Sequence, residues 1–147
     1  QCPMIRGIND DAQTIAKLLT EMTIMGVPQY YVFQCRPTAG NEAFDIPITE
    51  SWRIFSRAQE MCSGLSRRAR FCMSHASGKV EIVGVDEERI YARYHRAKDA
   101  SNAGRVMVFH RDDRALWLDH LRPISEKSVL AHPCAGRIAE PEGIVAS

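Results

Sequence analysis

The sequence predicts an α/β fold: βα units in its first part, then a small antiparallel β meander. Three observations carry this. Apolar residues recur at helical spacing in two early segments, first at Ala12, Ile15, Leu19 and Met22, then at Phe55, Ala58 and Cys62. Each segment follows a short run suited to a strand. From residue 67 onward the chain changes style, alternating charged and apolar side chains in short runs separated by turn formers. Alternating βα units call for parallel strands with helices outside them. Two such units cannot close a barrel alone, so the pattern reads as the end of a larger α/β array.

The elements follow in order. "QCPMIRG" is a short buried strand ending at Gly7. "INDD" supplies helix-capping residues, and Asp10 with Gln13 has capping-box spacing. Gly26 stops the first helix, because a glycine accepts the left-handed conformation that closes helices. "PQYYVFQC" is a second strand, rich in aromatic and β-branched residues. "RPTAGNEAFDIP" is a long loop, after which Thr49 can cap a second helix that Gly64 closes. "RRARFCMS", "KVEIVGV", "RIYARYHR" and "RVMVFHR" are the strands of the meander. The expected organisation is therefore residues 1–66, residues 67–122 and a loosely ordered tail at 123–147. The first residue is Gln1 and a strand begins at once, which points to a piece of a longer protein.

Composition narrows the function classes. The 147 residues suit one domain, and a formal net charge of +1 gives no global field favouring nucleic acid or anionic lipid. No apolar run approaches the roughly 20 residues of a membrane span, so the expected setting is the cytoplasm, away from membranes. Cys2, Cys35, Cys62, Cys72 and Cys134 show no C-x-x-C pair, which argues against a zinc ribbon and for mostly buried, reduced thiols. The five histidines show no metal-ligand spacing.

Three segments can carry chemistry. Arg6 and Arg36 fall at strand ends, where α/β proteins gather their sites. Each guanidinium can hold a carboxylate or phosphate with two hydrogen bonds, or simply form a surface ion pair. The third segment is "MSHASGKVEIVG". Here Lys79 opens a strand directly after Gly78, whose lack of a Cβ lets another group approach the backbone. Lys79 is either a solvated hairpin lysine or an amine held against an apolar wall, where a lysine becomes a nucleophile. Arg67, Arg68 and Arg70 lack the interleaved aromatics of a nucleic-acid groove and read as a solvated face.

Several separated motifs then agree in order and spacing: "MIRGIND", "PQYYVFQCRPTAGNEAF", "SGLSRRARFCMSHASGKVEIVG" and "YHRAKD". Together they resemble the carboxyl-terminal part of lysine 2,3-aminomutase-like radical S-adenosylmethionine (SAM) proteins, over roughly residues 1–120. The resemblance implies the last βα units of a partial TIM-like barrel followed by a β extension that binds pyridoxal phosphate (PLP). It implies three cofactors: PLP, SAM and a [4Fe-4S] cluster. In the family, a C-x-x-x-C-x-x-C loop holds the cluster, which cleaves SAM to a radical that moves an amino group from the α to the β carbon of an amino acid. That loop is absent from these residues.

Residue by residue, Lys79 matches the lysine that carries PLP as a Schiff base, although "SHASGK" stands where lysine-specific relatives have a run of glycines. Gln1 matches a SAM contact, and Tyr30 and Phe33 match aromatics near the cofactor. Two aspartates hold the substrate's distal amine in the lysine enzymes. Arg36 stands in place of the first, and Ser74 or His75 in place of the second, Cys72 being a further match. A cation there repels a lysine ammonium, so the resemblance implies a small amino acid substrate with an anionic or neutral side chain, glutamate first. It also implies a homo-oligomer. The alternative is a non-catalytic remnant or a small interaction module.

Overall fold

The computed structural model describes residues 2–124. Gln1, Cys134 and most of the expected tail lie outside the described residues. Six strands form one mixed sheet in sequence order: β1 (Cys2–Met4), β2 (Tyr31–Gln34), β3 (Arg70–His75), β4 (Gly78–Val85), β5 (Arg89–Ala97) and β6 (Val106–His110). Two helices, α1 (Ala12–Ile24) and α2 (Ile48–Glu60), connect the first three strands. The class is the α/β class expected, with one correction. The strand "RRARFCMS", assigned to the antiparallel meander, pairs in parallel with β2, Val32 standing opposite Phe71. The parallel part is thus βαβαβ, and the expected boundary at 66/67 falls inside one continuous sheet. A helical crossover between β2 and β3 delivers the chain back in the same direction, which a hairpin cannot do.

The helix ends show why local signals succeed or fail. Asp11, not Asp10, caps α1, its carboxylate accepting from the Thr14 backbone N–H at 2.8 Å. Asp10 instead lies 3.9 Å from Arg6. Gly26 stops α1 as expected, with φ of +79°. Thr49 does not cap α2: Pro47 holds the capping position, its own φ fixed by its ring, and Thr49 is buried inside the first turn. Gly64 does not close α2, which ends at Glu60 with Met61 as its cap; Gly64 opens a 3-10 turn, Gly64–Arg68.

Both helices pack against the same face of the sheet. Ile15 and Leu19 of α1 and Phe55 and Ala58 of α2 share one core with Val32, Phe71, Met73, Val80 and Ile82. Phe55 stacks on Phe71 with ring centroids 5.7 Å apart. Each of these Val, Leu, Ile, Phe and Met side chains contributes about 1.5–3 kcal/mol by leaving water. Gln34 ties the loops to this face, its amide donating to the carbonyls of Ile46 at 2.7 Å and Leu116 at 3.1 Å. The outer edge of β6 is covered by the returning chain, where His110 N–H donates to Arg122 O at 2.9 Å and Ile124 N–H to Val108 O at 3.0 Å.

Gly78 meets the close approach that its missing Cβ allows, but the approaching group is the protein's own backbone. A Cβ there would lie 2.2 Å from the Arg96 carbonyl oxygen, and φ is +138°. The tight β3–β4 turn at Ala76–Ser77 therefore requires glycine at its exit, and this fixes where Lys79 begins.

Candidate active site

The site is built on the sheet face opposite the helices. Side chains alternate along a strand, so the residues between the core positions all point there: Tyr31 and Phe33 from β2, Arg70, Cys72 and Ser74 from β3, Lys79 and Glu81 from β4. The register sets them in rows. Phe33 stands opposite Cys72, Cys72 opposite Glu81, and Glu81 opposite Arg93. Ser74 stands opposite Lys79.

Lys79 is half-buried in this array. Its ammonium donates to Ser74 Oγ and lies over two aromatic rings, 4.6 Å from the Phe33 centroid and 5.9 Å from that of Tyr31. A cation on an aromatic face gains about 0.5–2 kcal/mol and becomes oriented. Among the described residues no carboxylate pairs with this ammonium. A lysine held by a hydroxyl and an aromatic face, without a carboxylate partner among the described residues, has its nitrogen directed to a fixed point on this face.

The carboxylate of the array is engaged elsewhere. Glu81, only 12% exposed at its side chain, accepts from Arg70 Nη1 at 3.1 Å and from Arg93 Nε at 2.8 Å. Two guanidinium groups on one carboxylate leave a net positive charge beside the lysine. Burial, with a further contribution from Glu81, pushes the Cys72 thiol up to about 12, so it stays protonated beneath this network. Burial likewise raises the Tyr31 phenol to about 12, reinforced by its interaction with Tyr30. Burial lowers His95, with Arg70 adding to the effect.

The sequence-predicted residues are only partly brought together. Lys79, Ser74 and Phe33 form one contact group. Tyr30 precedes β2 and is 48% exposed; its hydroxyl lies 3.4 Å from His95 Nε2, and Arg68 stacks over its ring at 5.6 Å. Arg36 is exposed beyond the end of β2, stacked over Trp117 at 5.6 Å. His75 meets Ser77 through Nδ1 at 2.6 Å and Asp119 through Nε2 at 3.1 Å, with the Trp117 ring 6.4 Å away. Ser74 and His75 both line a shallow depression of about 270 Å³ that also takes in Lys79, but their hydrogen bonds run to different partners. Arg6 is a structural ion pair, bidentate to Glu50 at 2.8 and 3.3 Å, fastening the end of β1 to α2.

The sequence reading missed Tyr31, Glu81 and Arg93. Period-two alternation pairs Phe33 with Tyr31 and not with Tyr30, so Tyr31 had a readable signal. The Arg70–Glu81–Arg93 bridge had none, because it depends on strand register. Among the described residues no group of three or more His, Cys, Asp or Glu could hold a metal, and no helix is long and apolar enough to cross a membrane.

A mixed α/β sheet with both helices on one face and a lysine-bearing hairpin presenting a cationic, aromatic surface on the other defines the class. No family model matches the chain. It is 50% identical over 119 residues, 81% of its length, to the "Putative L-lysine 2,3-aminomutase" of Aquifex aeolicus. A Treponema pallidum protein of the same name is 32% identical over 66 residues, or 45% of the chain, and the L-lysine 2,3-aminomutase of Fusobacterium nucleatum is 31% identical over 64 residues, or 44%. The chain spans 32%, 19% and 15% of these three relatives. Over that span it is a lysine 2,3-aminomutase-like protein.

Proposed function

We propose that this chain is the part of a PLP- and SAM-dependent amino acid 2,3-aminomutase that carries the cofactor lysine, and that Lys79 is that lysine. One observation carries the reading: Lys79 lies on the helix-free face, held by Ser74 over the Phe33 ring, without a carboxylate partner among the described residues. The helix-free face is the one a partial barrel turns toward its interior, and three parallel strands flanked by α1 and α2 suit the end of such a barrel.

The residues around Lys79 fit PLP. Phe33 and Tyr31 offer flat apolar surface beside the amine, and the surrounding cations suit an anionic cofactor. When bound, PLP supplies an aldehyde carbon and an electron-withdrawing ring that stabilises charge or an unpaired electron next to the substrate nitrogen. Ser74 fixes the direction of the Lys79 amine. Cys72 lies buried and protonated beneath the network, where a neutral thiol leaves the cationic field of Arg70 and Arg93 intact. SAM and a [4Fe-4S] cluster belong to the same reading; among the described residues no three cysteines come together to hold the cluster.

By the resemblance, Arg36 takes the position of one of the two acidic groups expected to hold a lysine side chain, and Ser74, His75 or Cys72 that of the other. With Arg70 and Arg93 on the open face, they favour an anionic substrate side chain, so glutamate is preferred over lysine. The reading places the protein in the cytoplasm, as a homo-oligomer acting on a small amino acid. Its test is to supply the full-length enzyme with glutamate and lysine separately; faster formation of β-lysine overturns the glutamate preference. For Lys79, the full chain is mixed with PLP and treated with borohydride. A visible band lost on reduction in the parent but never formed in Lys79→Ala supports the assignment, and an identical band in both overturns it.

A further inference from the structure

The row that begins with Ser74 and Lys79 continues onto β5, and there it breaks a rule of sheet pairing. Lys79 stands directly opposite Arg96. Like charges directly opposite one another in an antiparallel pair destabilise it. The juxtaposition comes from a register shift: Val80 pairs with Tyr94, but the next residue, Lys79, pairs with Arg96, so one residue of β5 is inserted. Without the shift His95 would stand opposite the lysine. The insertion thus exchanges a titratable ring for a permanent cation, and bulges are known to re-aim side chains in this way. Lys98 follows two residues on. Ser74, Lys79, Arg96 and Lys98 line the depression of about 270 Å³ at the end of the hairpin, and among the described residues no carboxylate lines it. Among the described residues neither Arg96 nor Lys98 forms a side-chain hydrogen bond or ion pair. The acids nearby are engaged: Asp99 accepts from Ser101 N–H at 3.0 Å and Asp119 pairs with His75 at 3.1 Å.

We infer that Arg96 and Lys98 form an oxyanion subsite beside Lys79, taking a phosphate or phosphate-ester dianion. Three cations and a hydroxyl around a depression without an acid are stabilised by a doubly charged ligand, and Arg96 supplies the planar fork that matches phosphate. Gly78 contributes by keeping the β4 and β5 backbones close, so that the amine and the guanidinium rise from neighbouring positions. Two sources share this chemistry: the phosphate of a cofactor condensed on Lys79, or a free phosphate ester. In PLP the aldehyde and the phosphate arm are on adjacent ring carbons, so an amine and an oxyanion site on directly paired residues suit it. That assignment rests on the reading of Lys79 given above; the oxyanion subsite does not.

The test uses the full chain as parent, Arg96→Gln/Lys98→Gln and Arg96→Lys, with circular dichroism confirming equal folding. Orthophosphate binding is measured by calorimetry at low salt. Borohydride trapping on Lys79 is measured by peptide mass with PLP and with pyridoxal, which lacks the phosphate. The expected result is orthophosphate binding weakened about tenfold or more in the double variant and largely kept in Arg96→Lys. PLP traps at roughly tenfold lower concentration than pyridoxal in the parent, and this preference disappears in the double variant. Absent orthophosphate binding, or binding unchanged by the double substitution, overturns the subsite. If Arg96-dependent phosphate binding persists while neither aldehyde labels Lys79, the subsite stands for a free phosphate ester and the cofactor reading falls. If PLP keeps its preference in the double variant, the cofactor reading stands and this subsite is not its phosphate site.

Discussion

The two faces of the sheet are made by the same strands and differ in almost every physical property. On the helix-covered face Val32, Phe71, Met73, Val80 and Ile82 are each no more than 1% exposed. On the other face, one residue away along each strand, stand Phe33, Cys72, Ser74, Lys79 and Glu81. The first face is held by apolar burial, which is non-directional and tolerates repacking. The second is held by directed contacts: a lysine on a hydroxyl, two arginines on one carboxylate, cations on rings. Such contacts contribute less to stability in partial exposure, but they fix the position of the Lys79 ammonium. The difference teaches where to expect stability and where to expect chemistry when the two are separated by a single step in the sequence.

The largest effect should come from breaking the apolar face. Phe71→Ala removes a fully buried ring stacked on Phe55 and leaves a cavity between α2 and the sheet. Denaturant unfolding should show a loss of about 3–5 kcal/mol. A loss under about 1 kcal/mol would mean that α2 does not depend on this contact.

Gly78→Ala acts where the two faces meet at the hairpin. Its Cβ would clash with the Arg96 carbonyl and force an L side chain into a φ of +138°. The expected cost is about 1–3 kcal/mol, with amide exchange faster at Lys79 and Arg96 than in the α helices. Uniform exchange changes would show that the hairpin is not a local constraint.

Much of the apolar face was legible beforehand because it depends on period: the apolar positions of α1 and the alternation of β2 and β4 are properties of neighbouring residues. Lys79, Ser74 and Phe33 were candidates through an ordered set of motifs and not through pattern alone, and the sheet brings the three into contact. The parallel pairing of β3 was not legible, since its alternation of charge and apolar groups suits either direction and only the α2 crossover decides. Nor was the pairing of Lys79 with Arg96, because a single inserted residue in β5 changes which side chain arrives. Both failures come from register, which links residues distant in sequence.

Glu81→Gln sharpens the contrast on the open face. The amide keeps the shape but cannot balance Arg70 and Arg93. Discounted for the exposure of both arginines, the loss is about 1–2 kcal/mol, smaller than for Phe71 despite the shorter contacts. Since the charge balance of the open face would shift, the salt dependence of stability should also change in sign or slope. A Phe71-sized loss would place Glu81 among the core-forming groups and dissolve the distinction between the faces.

The smallest effect concerns His95, which sits on the open face between Tyr31 and the arginines. Burial, then Arg70, holds its imidazole below the ordinary 6.5. Its folded-state pKa is therefore the lower of the two, and the unfolded chain binds the proton more readily. The stability that the neutral ring contributes is complete above 6.5 and is lost as pH falls from there through the folded value. Thermal unfolding at a series of pH values should show this slope in the parent chain and a flatter one in His95→Phe, which keeps the aromatic contact with Tyr31 but cannot titrate. An equal slope in both would assign the acid sensitivity to carboxylates, and would leave the open face insensitive to pH in the range where histidine titrates.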